Sequence, residues 1–342
     1  MSTNNQNKNT TSRRDFLLKS SMASIGLLVA GSTTRANAFL FAGKPDSKFY
    51  GVQIGVITYS FRSMPGSVEQ ILQYVVDSGI NAIELMGDAV EDFAGKPKST
   101  FKMPPPQPGQ PRPQLTDEQK AQLAVYQKQV ADWRSAVSMD KFEEVRKMYN
   151  KAGVTIYAFK PNALGTNNTD AEIEYALRAA KVLGATSVTV ELPTDAAQSK
   201  RLGDLAAKHQ VYIGYHAHTQ ATDTAWDIAL SQSPYNSMNL DCGHYIAAGG
   251  NNTKETLLAL IEAKHDRITT MHIKDRKSKT NGGVNMPWGQ GDTPIKEILT
   301  LLKDKKYKIP ATIELEYDIP AGSDAVKETK NCVAFAKSAL GT

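Results

Sequence analysis

Short apolar runs rich in valine and isoleucine alternate along the chain with longer stretches in which apolar residues recur every three or four positions. The short runs are typical of buried strands, and the longer stretches are typical of amphipathic helices. From residue 52 onward the pattern predicts eight strands, each followed by a helix. The predicted strands have the sequences VQIGVITYS, NAIEL, VTIYAF, SVTVEL, VYIGYH, SMNLD, ITTMHI and ATIELEY.

This alternation indicates an α/β protein with a parallel sheet and crossover helices. Eight such units favour a closed (β/α)8 TIM barrel over an open, doubly wound sheet. The first predicted strand is not followed by a GxGxxG motif, which further disfavours the open sheet. Gly79, Gly153 and Gly184 each follow a predicted helix, where glycine commonly ends helices.

Residues 87–135 interrupt the alternation after the second predicted strand. The segment MPPPQPGQPRPQ is too rich in proline for a helix or a central strand, whereas DEQKAQLAVYQKQVADW predicts a helix. Because the insertion leaves the carboxyl end of a strand, it lies on the face where barrels carry their active sites. It is interpreted as a lid, and a solvent-exposed embellishment or a contact between copies in a homo-oligomer is an equal alternative.

The amino terminus has the order of an export signal. SRRDFLLK is followed by the apolar run SIGLLVAG and by the small-residue cleavage pattern Ala36-Asn37-Ala38. The paired arginines resemble a twin-arginine signal, and an ordinary secretory signal is the alternative. The apolar run is too short for a stable membrane anchor. We therefore expect residues 1–38 to direct export by the twin-arginine machinery to the periplasm, leaving one barrel domain over 39–342.

The charge balance argues against a nucleic-acid partner. The chain has 342 residues and a net charge of +5, but five basic residues against one acidic residue lie within 1–38, so the remainder carries only +1. A nearly neutral domain lacks the basic surface that nucleic-acid binding needs. The two cysteines, Cys242 and Cys332, are too few for a disulfide framework, and Cys242 is predicted to be a small buried residue.

Titratable side chains collect at the carboxyl ends of the fourth to eighth predicted strands. In a barrel these ends meet at one opening, so the side chains are expected to lie together. They are Glu191 on the fourth strand, His216 and His218 on the fifth, Asp241 and His244 at the sixth, His272 and Lys274 at the seventh, and Glu314 and Glu316 at the eighth.

Mixed imidazole and carboxylate side chains suit one divalent ion, such as Mn, Co, Zn, Fe or Mg. The predicted ligands, one from each of the fifth to eighth strands, are His216, Asp241, His272 and Glu314. Glu314 is preferred to Glu316 because it lies deeper. Glu191 is either a fifth ligand or the catalytic base, and His218 is expected to support His216 by a hydrogen bond.

The first three strands supply the opposite wall of the predicted opening. Aromatic and hydrogen-bonding side chains there suit a small carbohydrate substrate. For Phe61, burial in the barrel core is an equal alternative. The predicted substrate-binding residues are Tyr59, Phe61, Arg62, Glu84 and Lys160, together with His218 and Glu316 from the other wall.

The segments TYSFR, TVELP, YHAH, NLDCGHY, MHIKDR, WGQGD and TIELEY resemble, in order, the sugar phosphate isomerase/epimerase-like family of xylose isomerase-type barrels. The resemblance extends from residue 52 to about 340 and implies a metal-dependent isomerase or epimerase. In ketose epimerases and inosose dehydratase-like members, Glu, Asp, His and Glu hold the ion, so His216 departs from the pattern. ADWRSAVSMDKFEEVRKMYNKAGV resembles a secreted subgroup, some relatives of which eliminate the aglycone from 3-keto-glycosides.

Such a site predicts proton abstraction beside a polarised carbonyl, giving an ene-diolate. Glu191 is assigned as base, His244 as a substrate-binding or second acid-base residue, and Lys274 as the group that stabilises the oxyanion. Reprotonation would make the protein an isomerase or epimerase, and loss of a β-substituent would make it a lyase or dehydratase. A phosphoesterase is disfavoured by the neutral charge, and a non-catalytic periplasmic sugar-binding protein is a weaker alternative.

Overall fold

The computed structural model describes residues 43–100 and 114–341. The predicted signal peptide and most of the proline-rich segment lie outside these residues. The chain forms eleven strands in this part: β1 Lys48–Phe49, β2 Val52–Ile57, β3 Ala82–Met86, β4 Thr155–Lys160, β5 Ser187–Glu191, β6 Tyr212–His216, β7 Asn236–Asp241, β8 Ile268–Ile273, β9 Asp275–Arg276, β10 Asn285–Met286 and β11 Ala311–Ile313.

Eight of these strands close into a parallel barrel, which confirms the predicted fold. They are β2 to β8 and β11, and each pairs with the strand before and after it. The ring closes because β2 pairs with β11 on one side, Ala311 opposite Ile54, and with β3 on the other. Burial on both faces explains the apolar runs, and every residue of β7 is buried. The short β1 pairs antiparallel with β2, and β9 with β10.

Helices surround the barrel, and several begin with a capping box in which a serine or threonine and the third helical residue exchange hydrogen bonds. Gly79, Gly153 and Gly184 adopt positive φ after helices, as predicted. The helices are α1 Val68–Asp77, α2 Gly87–Phe93, α3 Asp117–Ala136, α4 Asp140–Lys151, α5 Asp170–Leu183, α6 Ala196–His209, α7 Asp227–Gln232, α8 Cys242–Ala248, α9 Lys254–Lys264, α10 Ile295–Lys305 and α11 Ala325–Ala339.

The carboxyl ends of two strands differ from the sequence prediction by more than one residue. The first barrel strand stops at Ile57, and the chain continues in a 3-10 turn over Thr58–Phe61. The eighth stops at Ile313, so Glu314 and Glu316 follow the strand and do not lie on it.

The inserted segment contains the predicted helix, α3, which is held to the barrel by a buried ionic network. Arg134 donates to Glu91 of α2 at 3.0 Å and lies 3.3 Å from Glu172 of α5. The Tyr175 hydroxyl also donates to Glu91. Because all these groups are buried, each charge depends on its partner in place of water.

Cys242 and Cys332 are both buried free thiols. Within residues 43–100 and 114–341, none of the helices has the length and hydrophobicity needed to cross a membrane.

We predict that Arg134→Met destabilises the protein by about 3 kcal/mol, because it removes the guanidinium that two buried carboxylates share and leaves Glu91 with Lys96 as its cation. Urea unfolding followed by circular dichroism measures the loss. The control is Lys128→Met on the same helix, whose exposed pair with Asp132 should contribute less than about 1 kcal/mol. Equal effects of the two substitutions would contradict the structural importance of the network.

Candidate active site

The carboxyl ends of β6, β7, β8 and β11 bring four buried side chains together. His216, Asp241 and His272 end or nearly end their strands, and Glu314 follows the last one. One ligand atom from each of the four residues lies within 4.8 Å of the others. Asp241 Oδ2 is 3.3 Å from His216 Nε2 and 3.9 Å from His272 Nδ1, and His272 Nδ1 is 3.1 Å from Glu314 Oε2.

These four residues fit a divalent ion by spacing and by donor type. An ion with bonds of about 2.0–2.2 Å separates its tetrahedral ligands by about 3.4 Å, close to the observed distances. His272 Nδ1 and Glu314 Oε2 are buried and make no well-aligned hydrogen bond to any described residue. The two atoms lie 3.1 Å apart, with Lys274 Nζ 2.7 Å from the Glu314 oxygen, and an ion bound between them would take both as ligands.

A second layer of side chains fixes His272. Its Nε2 lies 2.9 Å from Glu84 Oε2, and Asn239 Nδ2 lies 3.2 Å from the same oxygen. Burial on its own would lower the pKa of His272, but the charges of Glu314 and Glu84 outweigh it and raise the pKa to about 10. Glu84, predicted to bind substrate, is fully buried and contacts His272 from behind.

The Lys274 ammonium lies against the carboxylates of the candidate site. It is 3.0 Å from Asp241 Oδ2, 2.7 Å from Glu314 Oε2 and 2.7 Å from Glu316 Oε2, and the residue is only 2% exposed. Burial on its own would lower the pKa of Lys274, but the neighbouring carboxylates raise it. Lys274 is therefore a fixed positive charge, and it contacts two of the oxygens that an ion would bind.

Asp241 directly precedes helix α8 and also positions His244, which lies in the first turn of that helix. Its Oδ1 accepts from the His244 backbone N–H at 2.7 Å. The His244 ring has Lys274 Nζ 3.1 Å from Nε2 and the Arg276 guanidinium at Nδ1. Burial and the Lys274 charge lower the pKa of His244 to about 3 although Asp241 opposes the shift. A neutral imidazole accepts at only one nitrogen, so His244 accepts from one of these cations at a time.

Glu191 lies on the solvent side of the cluster. Its Oε2 is 3.1 Å from His216 Nδ1 and its Oε1 is 3.2 Å from Lys160 Nζ, while half of its side chain is exposed. Burial on its own would raise the pKa of Glu191, but His216 and Lys160 lower it to about 2. His218 is exposed, with Nε2 3.6 Å from Glu191 Oε2. His218 thus lies beside Glu191, which contacts His216, and its ring centroid is 4.9 Å from that of His216.

The histidines form a second, overlapping group. Ligand nitrogens of His216, His218 and His244 also lie within 4.8 Å of one another. The ring centroids of His218 and His244 are 4.6 Å apart. His216 is a member of both groups of residues, so the orientation of its ring determines how the two groups are connected.

Not all of the substrate-binding residues predicted at the end of the first strand lie at the barrel opening. Phe61 is buried and packs on Tyr74, so its predicted role in substrate binding is wrong and the core alternative is right. Arg62 stacks over the Tyr59 ring and donates to the Leu315 carbonyl at 2.6 Å. Arg62 therefore holds the backbone between Glu314 and Glu316.

Asn239 and Arg276 were not predicted. Asn239 lies two residues before Asp241 on β7, so strand alternation places both on one face, and that spacing could have identified it. Arg276 lies on the short β9, which the hydrophobic pattern did not predict. The loop WGQGD after β10 has a structural role, because the Gly289 and Gly291 N–H groups each donate to Asp275 Oδ2 at 2.8 Å.

Several solved structures share this architecture. The chain is similar to a probable 3-DHS dehydratase from Bacillus anthracis (14% identity, TM-score 0.56, 83% of this chain and 99% of that chain). It is also similar to 3-keto-D-glucoside 4-epimerase from E. coli (13%, 0.55, 84% and 99%). A sugar phosphate isomerase/epimerase from Parabacteroides distasonis matches as well (16%, 0.52, 87% and 98%). At these identities the similarity shows the fold alone.

No curated protein matches the sequence significantly. A family model does match, over residues 121–336. This range contains β4 to β11 and every member of the four-residue cluster. The chain therefore belongs to the xylose isomerase-like TIM barrel family.

Proposed function

We propose that the protein is a divalent-metal-dependent enzyme of carbohydrate metabolism, an isomerase or epimerase. The observation that carries the proposal is the convergence of His216, Asp241, His272 and Glu314 on one buried point. The structural neighbours, which include epimerases and a dehydratase, support the same class of chemistry. A bound ion would polarise a substrate carbonyl and acidify the adjacent C–H.

Side chains beside the cluster would stabilise the negative charge that develops on the substrate and would transfer the proton. Lys274 provides a buried positive charge beside the cluster, so it would stabilise negative charge that develops on the substrate oxygen. Glu191 and His244 stand on two sides of His216, and the lowered pKa of each keeps it unprotonated near neutral pH. Either group would accept the proton and return it to the neighbouring carbon, which gives isomerisation. For epimerisation the other group would first take a proton from water and then deliver it.

A lyase acting on a keto-sugar or a 3-keto-glycoside is the second candidate. The rim favours it, because Lys160 and the exposed His218, which both lie beside Glu191, carry N–H groups that could protonate a leaving group. We further propose that residues 1–38 export the enzyme to the periplasm and that it works there on carbohydrates outside the cytoplasm.

Incubation of the metal-loaded protein in D2O with free ketoses and with a 3-keto-glycoside distinguishes the two reactions. Deuterium incorporation without aglycone release would identify an isomerase or epimerase, whereas aglycone release would identify a lyase. A protein that does neither with any divalent ion and binds sugars unchanged would instead be a binding protein.

We predict that the matched variants Glu314→Gln and Glu316→Gln differ in ion binding. Glu314 contributes an oxygen to the cluster and Glu316 does not. Calorimetric titration with Mn²⁺ should show saturable binding to the wild type, a loss of at least about tenfold in E314Q and only a small change in E316Q. A reversed order would make Glu316 the ligand, and chelator should remove both the ion and the activity.

We predict that Lys274→Met binds a divalent ion more tightly than the wild type, by about tenfold, while its activity falls. The ammonium and the ion compete for Asp241 Oδ2 and Glu314 Oε2, and hydrogen bonds to charged groups contribute about 1.5–3 kcal/mol. Lys160→Met is the control, because the nearest carboxylate of Lys160 belongs to Glu191. Weaker Mn²⁺ binding in K274M would show that the ammonium and the ion do not compete.

A further inference from the structure

A second cleft lies beside the candidate active site, between helix α3 and the loop that connects β4 to α5. Its volume is about 690 Å³, within the range of small-ligand sites. Asn162 lines it and follows Lys160 by two residues; Asp88 lines it and follows Met86 by two residues. Two residues span at most about 7 Å, so the cleft adjoins the rim of the barrel opening next to β3 and β4.

The charges in this cleft are already neutralised. A charged ligand would have to displace an existing ion pair, and no cation lining the described part of the cleft lacks a carboxylate partner. The pairs are Lys96 with Asp88 and Glu91 at 3.0 and 3.1 Å, Lys128 with Asp132 at 2.7 Å, and Arg134 with Glu91 and Glu172 at 3.0 and 3.3 Å. The cleft therefore suits an uncharged ligand.

Uncommitted hydrogen-bonding groups line the same cleft. The side chains of Gln127, Asn162, Thr166 and Asn167 are exposed and make no hydrogen bond within the part of the chain that the structure describes. Tyr126 of α3 is half-buried and offers a ring face beside them. Amides, a hydroxyl and an aromatic face match the hydroxyls and the C–H faces of a sugar ring.

We propose that this cleft is a subsite for a second, neutral sugar ring of the substrate. The reacting ring would lie at the barrel opening and its neighbour would lie between α3 and the β4–α5 loop. The inference rests on the proposed function in that it takes a carbohydrate as the substrate. It narrows the substrate class from free monosaccharides to disaccharides or larger glycosides. The inserted helix then contributes to substrate selection, and the Arg134 network holds it rigidly for that purpose.

The test compares binding of methyl β-D-glucopyranoside with that of cellobiose, lactose and maltose, by calorimetry on the full protein. We expect at least one disaccharide to bind about tenfold more tightly than the methyl glucoside. The double variant Gln127→Ala/Asn167→Ala should bind that disaccharide about tenfold more weakly, as expected from the loss of two hydrogen bonds. Binding of the methyl glucoside should stay unchanged.

Gln129→Ala is the matched control, because Gln129 is exposed on α3 and does not line the cleft. Equal losses in Q129A and in the double variant, no loss in the double variant, or no preference for any disaccharide would each overturn the proposal. Titrations repeated with chelator separate it from the proposed function. Disaccharide binding that depends on Gln127 and Asn167 in a protein that takes up no ion would leave the subsite standing while the metal-dependent reaction fails.

Discussion

Several carboxylates lie close together inside the barrel opening, and the arrangement of the rest of the site depends on compensating their negative charge. Parallel strands deliver Asp241 and Glu314 to one buried point, with Glu84 behind them. Carboxylates in such a place require compensation, because burial of an unpaired charge costs several kcal/mol. The positive charge of Lys274 and that of His272, whose pKa is raised, supply part of this compensation. His272 Nδ1 and Glu314 Oε2 face one another 3.1 Å apart, and a divalent ion bound between them would have a specific place.

The same constraint explains why the site is layered. Residues at the strand ends reach the centre, while residues one layer deeper, such as Glu84 and Asn239, contact the rings from behind. The outer layer is wetter, and Glu191 and His218 there are half or more exposed. The candidate ion ligands, the side chains that orient them and the exposed titratable groups are thus separated by depth in the barrel.

The sequence was sufficient for the barrel, because burial on both faces leaves apolar runs of a recognisable length and helices between them. It was also sufficient for the four-residue cluster, because strand ends in a barrel must converge. It could not distinguish Glu84, a buried support, from a residue that faces the opening, because the predicted strand NAIEL put Glu84 next to its end, whereas the strand in the structure runs on to Met86. The same limit applies to Phe61, which the chain turns into the core after Ile57. Arg276 was missed because a two-residue strand leaves no periodic signal.

The two oxygens of the Asp241 carboxylate have different structural roles. One oxygen faces the candidate ion site and the other holds the first turn of α8, which carries His244. A shift of the carboxylate in response to an ion would therefore move the origin of that turn, and the imidazole would follow it. Occupancy of the candidate ion site would in this way affect the position of the His244 ring through a single side chain.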